Sequence, residues 1–233
     1  MPRTVVIGDV HGCATELDAL LTKLDIRSED RVFLVGDLIG RGPDSLSVLD
    51  MVAAMGATSV QGNHERRMLE VRRDSGEGRR QSRLGPAHRR LFRSLRDRDW
   101  ELLESMPLFI ELPAHDLIVV HAGLDPQRTL DRQDPWVLTH IRSFDQNGRP
   151  THALAPVSWA AQYHGPSHVV FGHNALLALQ LHEFATGIDS GCVYGGRLTA
   201  LVLDSGRPVP PVAERGEVLV SVPARRHYYD PRK

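Results

Sequence analysis

An α/β fold with parallel strands and crossover helices is predicted by one pattern that occurs three times: a short β-branched run, a polar glycine-containing turn, and a segment of helical period. The first repeat is "TVVIGD" (4–9) followed by "GCATELDALLTKL", in which Leu17, Leu20, Leu21 and Leu24 recur at helical spacing. The second is "RVFLVGD" (31–37) followed by "DSLSVLDMVAAMG", with Leu46, Leu49, Val52 and Ala53 on one face and Gly56 as the C-terminal stop. The third, "ATSVQGN" (57–63), leads into "HERRMLEVRR". Residues 74–87 are polar and glycine-containing and predict a surface loop, with helices to follow around "HRRLFRSLRD" and "DWELLESM". From Leu108 onward the texture turns to strands: "LFIEL", "LIVVHAG", "HVVFGH", "LQLHEF" and "LTALVL". These predict a second sheet packed on the first through a shared core.

The 233 residues, 41% of them hydrophobic, suit one domain over 1–233 with a substantial core. No linker or internal repeat divides it. An Arg-rich insertion at 66–98 and a C-terminal tail at 206–233 are expected as its appendages. A net charge of -1 gives no global pull toward nucleic acid or an anionic membrane. No stretch approaches the roughly 20 apolar residues of a membrane span, and "MPRTVVIGDV" lacks a basic segment followed by a long apolar run. A cytoplasmic location is the expectation. Cys13 and Cys192 form no CxxC pair and are read as reduced, inert thiols.

Every strand leaves the interior at polar residues: Asp9 and His11 in "GDVHG", Asp37 in "GDLIGRGP", Asn63 and His64 in "GNHE", His121 in "HAG", and His173 in "GH". Singly, each is the residue of a turn or a helix cap. Together they are more than turns require, and because the carboxyl ends of strands line the ligand crevice in open α/β sheets, these side chains should converge. Imidazole with carboxylate suits Mn, Fe or Zn better than Ca, which prefers an all-oxygen shell. Two cations close together need a carboxylate between them, and Asp37 is the natural bridge.

The five motifs, in this order, resemble the phosphoprotein phosphatase branch of the calcineurin-like metallophosphoesterases, over most of the chain. The resemblance implies a four-layer α/β/β/α sandwich of two mixed sheets. It also implies a dinuclear centre of divalent transition-metal ions, Mn2+ first, with Fe, Zn and Co as alternatives. A metal-bound hydroxide would hydrolyse a phosphoester or phosphoanhydride without a covalent intermediate. Carried over by motif, Asp9 and His11 hold the first metal, Asp37 bridges, and Asn63, His121 and His173 hold the second. His64 donates a proton to the leaving oxygen, and Arg41 clamps the phosphate oxygens. Arg142 is a second clamp, because "VLTHIRSF" resembles a Leu-x-x-Ile-Arg-x-x-Phe segment found in some members.

Protein phosphatases usually carry "GDxVDRG", whose second Asp orients the catalytic His; this chain has Gly40 there. Bacterial diadenosine tetraphosphatases resemble it in lacking that Asp, and the block "TGIDSGCVYGGRLTALVL" (186–203) is similar to theirs. The expected substrate is therefore a dinucleoside polyphosphate such as diadenosine tetraphosphate. A Ser, Thr or Tyr phosphoprotein phosphatase is the alternative, and a noncatalytic nucleotide-sensing module on the same scaffold is a further one. The Arg-rich segment reads as a solvated face, or as a basic lid over a polyanion such as a dinucleotide or an RNA 5′ end. Tyr163, Trp136 and Trp159 are the candidates for adenine recognition. His88, His115, His140, His152, His164, His168, His182 and His227 match no ligand motif and read as surface or structural.

Overall fold

Val5, Val6 and Ile7 are wholly buried, so the first strand lies inside a sheet and not at its edge. The computed structural model describes residues 2–76, 84–176 and 178–230. Strand β1 (Arg3–Ile7), helix α1 (Ala14–Leu24), β2 (Arg31–Leu34), α2 (Ser45–Ala54), β3 (Thr58–Ser59) and α3 (Asn63–Gly76) realise the three repeats. β1 pairs with β2, and β2 with β3, in parallel, as helical crossovers require. Gly56 follows the cap of α2 with φ 62°, the left-handed stop expected of it. The buried face of α2 is Ser45, Val48, Leu49 and Val52, whereas Ala53 is exposed; the apolar stripe lies slightly to one side of the one predicted.

Helices α4 (Pro86–Ser94) and α5 (Asp97–Ser105) stand where expected. Of the predicted surface loop at 74–87, residues 77–83 lie outside the described residues, and α3 takes in its first part up to Gly76.

The second sheet begins with β4 (Phe109–Leu112) and β5 (Leu117–Val120). After them come α6 (Pro135–His140), a small ribbon of β6 (Ser143–Phe144) and β7 (Pro150–Thr151), then β8 (His168–Phe171), β9 (Gln180–Leu181) and β10 (Ala185–Gly187). The strand order is β4-β5-β8-β10-β9, with a parallel centre and antiparallel edges.

One strand departs from the expectation. β11 (Arg197–Asp204), which contains "LTALVL", joins the first sheet antiparallel to β1, with Ile7 opposite Ala200, and β12 (Leu219–Pro223) closes that edge. The order is thus β12-β11-β1-β2-β3. Burial explains the placement. Leu198 and Ala200 pack in the core with α1 and α2, while Leu201 and Leu203 join Val6, Phe33, Val119 and Val170 between the sheets. A strand apolar on both faces belongs inside a sheet. The expected tail is in part β12.

Three apolar clusters therefore separate four layers: helices on the first sheet, sheet on sheet, and the second sheet under α6 and the turn at Trp159. Among the described residues no helix is long and apolar enough to cross a membrane.

Candidate metal centre

The predicted site residues emerge just past strand ends: Asp9 and His11 after β1, Asp37 after β2, His121 after β5 and His173 after β8, with Asn63 and His64 opening α3. The backbone there is held in an uncommon state. Among the described residues, six that are not glycine have positive φ, and four of them are His11 (49°), Asp37 (49°), Arg41 (63°) and His173 (66°). A left-handed side-chain-bearing residue costs about 1–2 kcal/mol, so strain is concentrated where chemistry is expected.

Asp37 stands at the centre. Its Oδ2 is 3.4 Å from His11 Nε2 and its Oδ1 is 3.5 Å from His121 Nε2. The His64 backbone N–H donates to the same Oδ1 at 2.9 Å, which sets the carboxylate against the N-terminus of α3, where the helix dipole favours negative charge. Asp37 belongs to two groups whose ligand atoms lie within 4.8 Å of one another, one with His11 and His64, the other with His121 and His173. The Asn63 amide oxygen is 3.0 Å from His121 Nε2 and 2.9 Å from His173 Nδ1. Both oxygens of Asp9 accept the His173 backbone N–H, at 3.2 and 3.1 Å. All the residues predicted as ligands are brought together.

Outer contacts aim the rings. His121 Nδ1 donates to the Val35 carbonyl at 2.8 Å and His11 Nδ1 to the Ile39 carbonyl at 3.3 Å, so each Nε2 presents its lone pair inward. Arg41 Nη1 donates to His11 Nε2 at 2.7 Å, which places the guanidinium at the ligand cluster.

The electrostatics of the cluster call for a cation. Burial, then the charges of Asp189 and Asp37, push the Asp9 carboxyl well above its ordinary range. Burial and Asp37 likewise push Asp189 up to about 6. Burial pushes the imidazoles of His11, His121 and His173 below their ordinary value, while the charge of Asp37 pulls each the other way. Burial opposes ionisation of Asp37 too, but His121, His64, His11 and Arg41 outweigh it and keep this carboxyl ionised. Mutually repelling carboxylates, an amide oxygen and neutral imidazole nitrogens are a donor set for divalent transition metals, and the residues present fit two such ions sharing Asp37.

Four contributors escaped the motif reading. Glu65 is fully buried and accepts the backbone N–H groups of Asp37 (2.8 Å), Gly62 (2.9 Å) and Ile39 (3.2 Å), which ties the loop after β2 to the start of α3. Its reach back to Gly62 is half of a capping box, a signal present in "GNHE". Asp189 is buried and accepts from Gly191, and its signal was the "IDSGC" block. His88, read as surface or structural, instead reaches the site from α4: its Nε2 is 3.3 Å from His64 Nδ1. His140, read the same way, stacks on Trp136 with 5.5 Å between centroids and lies 6.3 Å from the His173 ring. Of the adenine candidates, Trp159 and Tyr163 are core residues, 0% and 6% exposed, and only Trp136 is near the ligands.

Arg142 follows α6. Its buried Nε has no hydrogen-bond partner among the described residues, and burial together with the charge of Arg41 lowers its pKa. Two guanidiniums within electrostatic reach of each other, one with an unspent donor, are groups from which an oxyanion can accept hydrogen bonds. Four arginines of the Arg-rich segment have acid partners instead: Arg66 with Glu70, Arg72 with Glu104, and Arg96 and Arg98 with Asp50.

The family model for calcineurin-like phosphoesterases matches residues 2–185, and the chain belongs to that family of dinuclear, metal-dependent hydrolases. Among curated proteins it is similar to the asymmetrical bis(5'-nucleosyl)-tetraphosphatases PrpE of Oceanobacillus iheyensis and Geobacillus thermodenitrificans. With the first it shares 30% identity across 84% of this chain and 86% of the relative. With the second it shares 32% across 84% and 88%. Among solved structures, a candidate diadenosine tetraphosphatase matches with TM-score 0.81 and 34% identity, over 96% of both chains. A Saccharomyces cerevisiae serine/threonine phosphatase, 17% identical with TM-score 0.59, shares the fold.

Proposed function

We propose that this chain hydrolyses dinucleoside polyphosphates such as diadenosine tetraphosphate, cleaving a phosphoanhydride bond asymmetrically to ATP and AMP. The observation that carries this reading is the partner of His64. Among the described residues no carboxylate is hydrogen-bonded to its Nδ1; a histidine, His88, meets it, and burial, followed by the charge of Arg41, keeps that imidazole below its ordinary value against the opposing pull of Asp37. Burial outweighs the charge of Asp37 and holds His64 at about 4, and a histidine at Nδ1 in place of a carboxylate adds nothing to favour the charged form, which matters least when the leaving group is a nucleotide phosphate that departs with little protonation. The curated relatives' names support the same substrate class and the asymmetric outcome.

Asp9, His11, Asp37, Asn63, His121 and His173 would hold two divalent ions, Mn2+ in our reading. Such ions supply Lewis acidity toward phosphate oxygens and activate water. The chain's own residues do the rest. Arg41 and Arg142 grip nonbridging oxygens and orient the chain of phosphates. His88 occupies His64 Nδ1, which leaves Nε2 to pass a proton to the departing oxygen.

The test is a substrate panel. Metal-stripped protein is given Mn, Co, Zn or Mg, and diadenosine tetraphosphate is compared with a phosphopeptide and an aryl phosphate. Dinucleotide turnover to ATP and AMP is expected. Fast phosphopeptide turnover beside an inert dinucleotide would replace this reading with the phosphoprotein phosphatase.

A further inference from the structure

Two pairs of rings bracket the ligand cluster, one at each end. Beside His11, the Arg41 guanidinium lies 5.6 Å from the Tyr194 ring and 5.9 Å from that of Tyr229, and the two tyrosines meet edge to face at 6.1 Å. Beside His173 stands the parallel stack of His140 and Trp136, with 3° between planes. Successive contacts link the tyrosines through Arg41, His11, Asp37, His121 and His173 to His140 and Trp136.

The tyrosine end is built from the C-terminal segment. The Tyr228 and Tyr229 N–H groups donate to the Val193 carbonyl at 3.0 and 3.1 Å, and Tyr228 Oη donates to Glu16 at 2.8 Å. Residues after β12 are thereby fixed against the glycine-rich turn that carries Tyr194. Tyr229 remains 38% exposed although its backbone is held in place.

We infer that the two ring pairs are platforms for the two nucleobases of a dinucleoside polyphosphate, with the phosphates between them on Arg41 and Arg142. This rests on the reading under Proposed function and adds which residues select the substrate. Every base offers a π-face, so stacking suits a nucleotide of any base, and a ligand with two bases separated by phosphates matches a site with two platforms separated by guanidiniums. A phosphopeptide has no such pair of flat groups. The Tyr229 platform takes one base and the Trp136 platform the other.

The experiment is calorimetric binding to the Mn-loaded protein of two ligands: a methylene-bridged, non-hydrolysable analogue of diadenosine tetraphosphate, and inorganic tripolyphosphate. Tyr229→Ala and Trp136→Ala should each weaken the dinucleotide about tenfold while tripolyphosphate moves less than about twofold, because base stacking on an aromatic ring is worth that much per base. Tyr229→Phe and Trp136→Phe should restore most of the loss. Dinucleotide affinity within about twofold of the parent in either alanine variant would overturn the inference, and so would a parallel loss of tripolyphosphate. A protein that binds the dinucleotide through both rings yet cleaves only phosphopeptides would refute the proposed reaction and leave the platforms standing.

Discussion

His88 Nε2 lies 3.3 Å from His64 Nδ1, in space that Gly40 leaves open: a Cβ at position 40 would stand 2.5 Å from the same His64 nitrogen and 3.1 Å from His88 Nε2. A histidine from α4 thus meets His64 beside the position where the "GDxVDRG" pattern has an acid and this chain has Gly40. His88→Ala should slow hydrolysis about tenfold for poor leaving groups and less for good ones, since proton donation matters most when the departing oxygen is basic. Turnover along a series of aryl phosphates measures this, and His88→Gln, which can still hydrogen-bond, should recover part of the loss. A uniform loss along the series would show that His88 merely supports the fold.

Gly40→Asp alone should lower activity. Its φ of 83° strains any side chain, and the new Cβ would displace His64 or His88. The sequence comparison alone suggests that restoring the Asp improves hydrolysis of aryl phosphates; the crowding between the two rings shows that room must first be made. Gly40→Asp with His88→Ala should outperform Gly40→Asp on aryl phosphates. If the double variant is no better, His88 is not what occupies the acid's place.

Asp37→Asn should abolish metal-dependent hydrolysis and reduce bound Mn, because Asp37 belongs to both ligand groups. Metal analysis of the purified variant, alongside turnover, checks this. Full metal content together with parental activity would rule out a bridging role.

The six candidate ligands were legible because five of them follow apolar strands and Asn63 opens the helix after β3, where local motif and tertiary position coincide. Arg41 shares that advantage. Glu65 and His88 did not stand out, since their roles depend on what three-dimensional packing brings to them: backbone N–H groups from a loop 26–28 residues away for Glu65, and a ring 24 residues away for His88. β11 was placed in the wrong sheet for a similar reason. "LTALVL" shows that both faces are apolar but not which partner strand lies beside it, and β1 is almost 200 residues distant in sequence. Trp159 was a candidate for adenine recognition; its indole instead donates to the Ala122 carbonyl at 2.9 Å within the core.

Glu65→Ala should destabilise the metal-free protein by about 3 kcal/mol or more, because it strands buried N–H groups of Asp37, Gly62 and Ile39, each worth roughly 1 kcal/mol. Glu65→Gln, which keeps one acceptor oxygen, should fall between. Urea unfolding measures both, and an unchanged midpoint in Glu65→Ala would remove Glu65 from its structural role.

Acid should weaken the fold through His168. Its Nε2 is 2.8 Å from Thr186 Oγ1, and burial, with the Arg215 guanidinium second, pushes the imidazole down to about 3 from an ordinary 6.5. A folded-state value below the unfolded one means that the unfolded chain takes up the proton first. The stabilisation is therefore complete above pH 6.5 and is lost as pH falls from there toward 3. His168→Gln should flatten that part of the profile in urea unfolding of the metal-free protein; an equally steep limb would acquit His168.

His11, Asp37, Arg41 and His173 all hold their side chains on left-handed backbone. Glycine at any of these positions would relieve the backbone strain. An imidazole, a carboxylate and a guanidinium stand there instead, on backbone that bears a side chain only at a cost in strain. These four backbone angles carry a functional signature that is independent of which residues happen to be recognisable as a motif.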